Sequence, residues 1–266
     1  MPRDSPSPSE LLSLVITEIH QRFGPDTKLD ESLRRYRRYV AETTGKSSEP
    51  VDIEQFRAFL DHEHILGLRG SDTWSSEGNE DQLMLRWSIG SVLHRATPPL
   101  GRLPSQYLTF ARQTRPRDCI VTFNYDLVLE SVRGGASVLY RRFPSRYISD
   151  RDAEWTCSHG SIDWVDRKAF DESLQVLARS GSDDLFRRRN LLFGDAPITG
   201  IHRLVEGPRP KRDSLNSVFV VEDLDACYGE RNMWYHAAPI ILAPSSVKLL
   251  YETLIREFWR GMPLYA

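Results

Sequence analysis

The sequence predicts an α/β chain: a parallel sheet flanked by helices, a helix-rich N-terminal half, and a sheet incomplete at both ends. Three stretches carry this expectation. The apolar run Asp118-Cys119-Ile120-Val121-Thr122-Phe123 stops abruptly at Asn124-Tyr125-Asp126, and an amphipathic run from Leu127 to Val132 follows. That order reads as buried strand, polar turn and helix start. A second short apolar stretch, Trp155-Thr156-Cys157, ends at His159-Gly160. The third, Ala238-Pro239-Ile240-Ile241-Leu242-Ala243-Pro244, is continuously apolar and punctuated by prolines, as a strand buried on both faces would be. Two polar clusters therefore sit where predicted strands end. In open α/β sheets, ligands gather at the carboxyl ends of strands.

Composition sets the outer bounds. The 266 residues suffice for one large α/β domain or two small ones. Hydrophobic content of 40% and charged content of 27% are ordinary for a globular protein. Mean hydropathy is -0.44 and no apolar run approaches a membrane span, so no membrane partner is expected. Met1 to Pro8 lacks the apolar centre of a signal peptide. Cys119, Cys157 and Cys227 are too few and too scattered for a disulfide framework, which points to a reducing, cytoplasmic setting. A net charge of -2 gives no global field to recruit nucleic acid.

Taken in order, the first half is helical. Ser9 is placed to cap a helix starting at Glu10, with Leu12, Val15, Ile16, Ile19 and Phe23 on one face and Gly24-Pro25 at its end. Leu33, Tyr36, Tyr39 and Val40 continue helically. Arg34, Arg35, Arg37 and Arg38 among them fit a solvated side better than a phosphate site, the tyrosines facing inward. After the Gly45 to Pro50 loop, Asp52 is placed to cap a third helix with Ile53, Phe56, Phe59 and Leu60 inward. His62 and His64 lie two apart, the wrong spacing for one helical face, and read as a surface pair. A polar loop spans Gly67 to Asp81. Leu83, Trp87 and Val92 mark a helix broken by Pro98-Pro99, and Pro104 opens another through Tyr107, Leu108 and Ala111.

The second half brings the strands. Past the Asn124 turn, a helix closes at Gly135. Strands are expected at Ala136 to Tyr140 and Trp155 to Ser158, with polar connection over Arg141 to Asp152. The pattern weakens beyond Val165, and 166–236 is expected to be a loop-rich insert within a single domain of 1–266. Its basic runs, Arg187-Arg188-Arg189 and Arg209-Pro210-Lys211-Arg212, have acidic neighbours that offset their charge. Ser245-Ser246 precede a last helix with Leu249, Leu250, Leu254 and Phe258 inward.

The pairing of Thr-x-Asn-Tyr-Asp at 122–126 with His-Gly-Ser-Ile-Asp-Trp at 159–164 resembles the sirtuin-like superfamily, closest to its bacterial branch of NAD-consuming defence proteins. Pro8-Ser9-x-Leu11-Leu12 resembles the segment after that branch's Gly-Ala-Gly-x-Ser loop. The Pro-Ile-Ile-Leu-Ala-Pro run and the helix after it look similar as well. The resemblance implies a Rossmann-like parallel sheet and an NAD glycohydrolase releasing nicotinamide in antiviral defence, with NAD as substrate and no zinc. It implies His159 as the base, with Asn124 and Asp126 on the nicotinamide–ribose half, Thr122 supporting the turn and Gly160 beside the ligand. Expected partners are NAD and, left open, a second copy or a partner domain.

The residue types suit that chemistry. Cleaving a nicotinamide–ribose bond passes through an oxocarbenium-like state, as other glycosyl cleavages do. A histidine at a strand end can act as base near neutral pH. An asparagine amide can hold a ribose hydroxyl or a water, and a carboxylate can hold a carboxamide. Each residue also has a plain structural explanation: Asn-x-Asp after a strand is often a helix cap, and His beside Gly is often a turn residue. Singly those explanations win; in this order and at strand ends, the functional reading leads.

The departures are equally specific. The Gly-Ala-Gly-x-Ser loop that would cradle a pyrophosphate is absent, as is the Gly-x-Ser strand expected after the last helix. Phe123 stands where deacylases have glutamine. Three isolated cysteines cannot build a four-thiolate zinc site. These features argue against deacylation and leave NAD hydrolysis against a second expectation, a catalytically inactive or truncated domain used for binding or assembly.

Overall fold

The computed structural model describes residues 7–45, 50–65, 80–115, 118–122, 124–136, 140–142, 153–157, 160–166, 218–221, 224–229 and 238–241. The helical half is built from α1 (Pro8–Phe23), α2 (Lys28–Thr44), α3 (Ile53–Ile65), α4 (Glu80–Ala96) and α5 (Ser105–Gln113). Strand β1 (Cys119–Thr122) and helix α6 (Val128–Gly135) follow, then β2 (Tyr140–Arg142), β3 (Ala153–Cys157), β4 (Gly160–Asp166), β5 (Val218–Val220), α7 (Leu224–Tyr228) and β6 (Pro239–Ile241).

Local chemistry sets the helix ends. α1 starts earlier than expected, because Ser7 makes a capping box: its hydroxyl takes the Glu10 N–H while the Glu10 carboxylate takes the Ser7 N–H. Ser9 lies inside the helix. Thr27 and Asp30 repeat the box on α2, and Gly45 closes that helix at φ 72°. Asp52 caps α3 as its sequence suggested, its Oδ1 accepting from the N–H groups of Glu54 and Gln55 at 2.7 and 3.2 Å. On α2, Tyr36 faces inward. Tyr39 does not: it is 52% exposed. Arg34, Arg37 and Arg38 are exposed, as a solvated face requires, while Arg35 bonds Glu63 at 2.7 Å.

The core lies around α4. Every residue of that helix from Asp81 to Val92 is buried, which only three apolar positions in the sequence announced. A helix buried all round satisfies most of its polar side chains internally. Asp81 accepts from Ser32, Gln82 donates to Asp61 at 2.8 Å, and Ser91 donates to Glu18 at 2.9 Å. Trp87 is wholly buried, edge-on to Phe23 and tilted against Tyr228 with centroids 6.1 and 6.0 Å away. Helices α1, α2, α3 and α7 and strands β4 and β6 close around α4.

Two three-stranded sheets complete the described chain. The first is parallel, in the order β1-β3-β2, with Thr122 opposite Cys157 and Tyr140 opposite Ala153. The second is antiparallel, in the order β5-β4-β6. A mixed α/β architecture is therefore present, but the expected single parallel sheet is not what the described residues form. The apolar run at Pro239–Ile241 is a buried strand, yet it pairs antiparallel with β4. Its run of apolar residues reports burial, which both sheet types can impose.

Other boundaries shift for similar reasons. Of the strand expected at 136–140, residues 137–139 lie outside the described residues; β2 takes in Tyr140, Arg141 and Arg142 through its pairing with β3. Gly160 to Asp166 forms β4, where the sequence showed only a polar cluster. Within the stretch 166–236, β5 and α7 are described, and Cys227 and Tyr228 of α7 are buried. The helix expected after Ser246 lies outside the described residues.

Candidate functional site at the carboxyl edge of the parallel sheet

Parallel pairing of β1 with β3 puts Thr122 beside Cys157, so both strands end at one edge. From β1 the chain passes into the Asn124-Tyr125-Asp126 turn. From β3 it reaches Gly160 after two residues, one of them His159, which lies outside the described residues. A bond ties the two polar clusters together: the Ile162 N–H donates to the Tyr125 carbonyl at 3.1 Å. The clusters that the sequence separates by some three dozen residues are thus neighbours.

Thr122 and Asp126 also have structural work. Thr122 is buried, and its hydroxyl accepts from the Asn124 N–H at 3.1 Å, which fixes the start of the turn. Asn124 is exposed. Asp126 Oδ1 accepts from the Val128 N–H at 3.0 Å and so holds the start of α6. A carboxylate has about four acceptor positions, so that bond leaves capacity for a ligand.

Gly160 has a structural reason of its own, a close approach of backbone within the fold. A Cβ there would lie 2.0 Å from the Ile240 carbonyl oxygen of β6, and the residue sits at φ 88°. The glycine is required by the β4–β6 pairing, whose register sets Gly160 opposite Ile241.

Behind the turn are residues that the sequence did not single out. Arg57 of α3 is buried, and its Nη2 donates to the Ile241 carbonyl at the end of β6. Burial pushes the Tyr125 phenol up from its ordinary pKa, with the Arg57 charge opposing and Glu54 adding to the rise. Ser161 donates to Asp163 at 2.7 Å, both side chains being buried. The Tyr228 hydroxyl donates to the Ile162 carbonyl, and burial drives its pKa well up. Arg57 did leave a signal in the sequence: Ile53, Arg57 and Leu60 share one helical stripe, so a charge stands at a core position.

Among the described residues no cluster of His, Cys, Asp and Glu is arranged to hold a metal ion, and no helix is long and apolar enough to cross a membrane. No protein-family model matches the chain, and no curated protein matches it.

Proposed function

We propose that the carboxyl edge of the β1–β3 pair binds the nicotinamide–ribose end of NAD and that the chain hydrolyses it, with β1-β3-β2 belonging to a Rossmann-like sheet. One observation carries the reading: Thr122 and Cys157 are register partners, so the Asn124 turn and the chain continuing from Cys157 start at the same edge of a parallel sheet. Such an edge is where this class of sheet binds ligands.

In the proposed reaction the ribose C1–nicotinamide N bond breaks and nicotinamide leaves. A water oxygen bonds to C1, and His159 takes the proton that water releases. The products are nicotinamide, ADP-ribose and one proton. Asn124 orients a ribose hydroxyl or the water, and Asp126 accepts from the nicotinamide carboxamide. Thr122 supports these groups by fixing the turn.

A second reading draws on other contacts. The Asp126 carboxylate caps α6, the Thr122 hydroxyl holds the Asn124 N–H, and Gly160 accommodates β6. Those roles suffice for a domain that binds or assembles without catalysis. Incubating the purified chain with NAD and following nicotinamide by chromatography separates the two. The NAD-hydrolase reading expects release that His159→Ala abolishes. Release that persists unchanged in His159→Ala removes that residue as base, and no release from the wild-type chain selects the binding reading.

A further inference from the structure

β4 meets the Asn124–Asp126 turn at Ile162, and that residue is held from its other side by α7. β4 pairs with β5 over Trp164 to Asp166, and its register against β6 shifts between Gly160 and Val165. Ile162 lies in that irregular stretch. Its N–H donates to the Tyr125 carbonyl of the turn at 3.1 Å, and its carbonyl accepts from the Tyr228 hydroxyl of α7. Ile162 and Tyr228 are both buried. A buried carbonyl left without a donor is costly, so the phenol fixes where Ile162 sits.

The phenol is itself held in place. Five residues make α7 too short to be stable alone, and its last carbonyls need donors from elsewhere. Trp87 Nε1 donates to the Cys227 carbonyl at 3.3 Å. Arg22 donates from Nη2 to the Tyr228 carbonyl at 3.2 Å and from Nη1 to the Gly229 carbonyl at 2.8 Å. Glu18 in turn holds Arg22 at 2.5 Å. α4 leaves room for the phenol at Gly90, where a Cβ would lie 2.5 Å from the Tyr228 hydroxyl oxygen. Glycine weakens a helix interior relative to alanine, and the close approach of the phenol gives the reason for it here.

We propose that Tyr228 is a positioning residue for the candidate site: its hydroxyl fixes Ile162, and Ile162 holds the Tyr125 carbonyl and with it the directions of the flanking Asn124 and Asp126. The inference rests on reading that turn as the nicotinamide–ribose site. Tyr228 acts through Ile162 and links the packing of α1, α4 and α7 to the turn.

The test uses the full chain and three variants. Tyr228→Phe removes only the hydroxyl. Gly90→Ala keeps the hydroxyl but crowds it from α4. Gly45→Ala adds a Cβ that meets nothing within 4 Å and controls for a general loss of stability. Far-ultraviolet circular dichroism first establishes that each folds, and either of the first two serves if the other does not. The first readout is amide hydrogen exchange at Ile162 and at 124–132, taken relative to α3 and needing no substrate. This ratio should rise by about fivefold or more in Tyr228→Phe and Gly90→Ala and stay at the wild-type value in Gly45→Ala. The second readout is nicotinamide release. In Tyr228→Phe kcat should fall by about tenfold while KM moves much less, because misorientation weakens transition-state contacts most. A wild-type exchange ratio in either Tyr228→Phe or Gly90→Ala overturns the proposal, whatever the chain does to NAD. A raised ratio with unchanged kcat in Tyr228→Phe overturns the positioning role. A raised ratio in a chain whose wild type cleaves no NAD supports the link from Tyr228 to the turn and overturns the NAD reading instead.

Discussion

Replacing Gly160 with alanine tests the pairing that builds the candidate site's floor. Two costs meet at this position. The first is conformational, since φ is 88° and side chains disfavour positive φ by about 1–2 kcal/mol. The second is steric, since the new Cβ would lie 2.0 Å from the Ile240 carbonyl oxygen. That atom is backbone, so β6 must shift, at an overpacking cost of roughly 1–3 kcal/mol. Together the loss is about 2–5 kcal/mol, or roughly 4–20 °C in melting temperature for a chain of this size.

Two other glycines separate the terms. Gly45 sits at φ 72°, and a Cβ added there would meet nothing within 4 Å, so Gly45→Ala carries the conformational cost alone, about 1–2 kcal/mol. Gly101 has neither feature, and Gly101→Ala should stay within about 0.5 kcal/mol of wild type. Thermal and urea melts of the three variants give the order Gly160 > Gly45 > Gly101. A Gly160→Ala variant no less stable than Gly45→Ala would refute the close approach of β4 and β6.

The remaining expectations concern two carboxylates. Glu18 is buried against Arg22 at 2.5 Å, and Arg95 and Ser91 also bond it. Burial pushes its pKa up, but the hydrogen bonds from Arg95 and Ser91 and the Arg22 charge outweigh that and hold it below its ordinary 4.5. Its contribution to stability is therefore complete above pH 4.5 and is lost as pH falls through the lowered folded-state value. Urea midpoints measured downward from about pH 6 should fall more steeply for wild type than for Glu18→Gln; parallel curves would show that Glu18 contributes nothing to the acid limb. Asp126 separates capping from ligand contact. Asp126→Ala should lose about 1 kcal/mol of stability and Asp126→Asn only a few tenths, since asparagine caps as well as aspartate. If nicotinamide release survives Asp126→Asn at the wild-type rate, the carboxylate acts only on α6.

The helical half was legible because its signals are local. Periodic apolar residues, Asp52 at a helix start, and Gly24 and Gly45 at helix ends each act within one turn of the chain. β1 and its turn were legible for the same reason: an apolar run ended by Asn124-Tyr125-Asp126 describes itself. Burial of β6 was equally visible, since Pro239-Ile240-Ile241 has no polar side to expose.

The direction of β6 was not visible, because strand pairing depends on a partner far away in sequence, and the apolar run is the same for either direction. β4 escaped notice because Ser161 and Asp163 look like loop residues; burial of their hydrogen-bonded pair makes them strand interior. Gly160's need for a missing side chain arises from the distant Ile240 carbonyl, and Arg57's burial is met by the Ile241 carbonyl on another element. The sequence by itself determined the helices, the capped ends and the strand-end clusters, through contacts within a few residues. Only tertiary structure decided which strands pair, that the two clusters adjoin through Tyr125 and Ile162, and which charge stands behind them, because each depends on groups that meet only after the chain has folded.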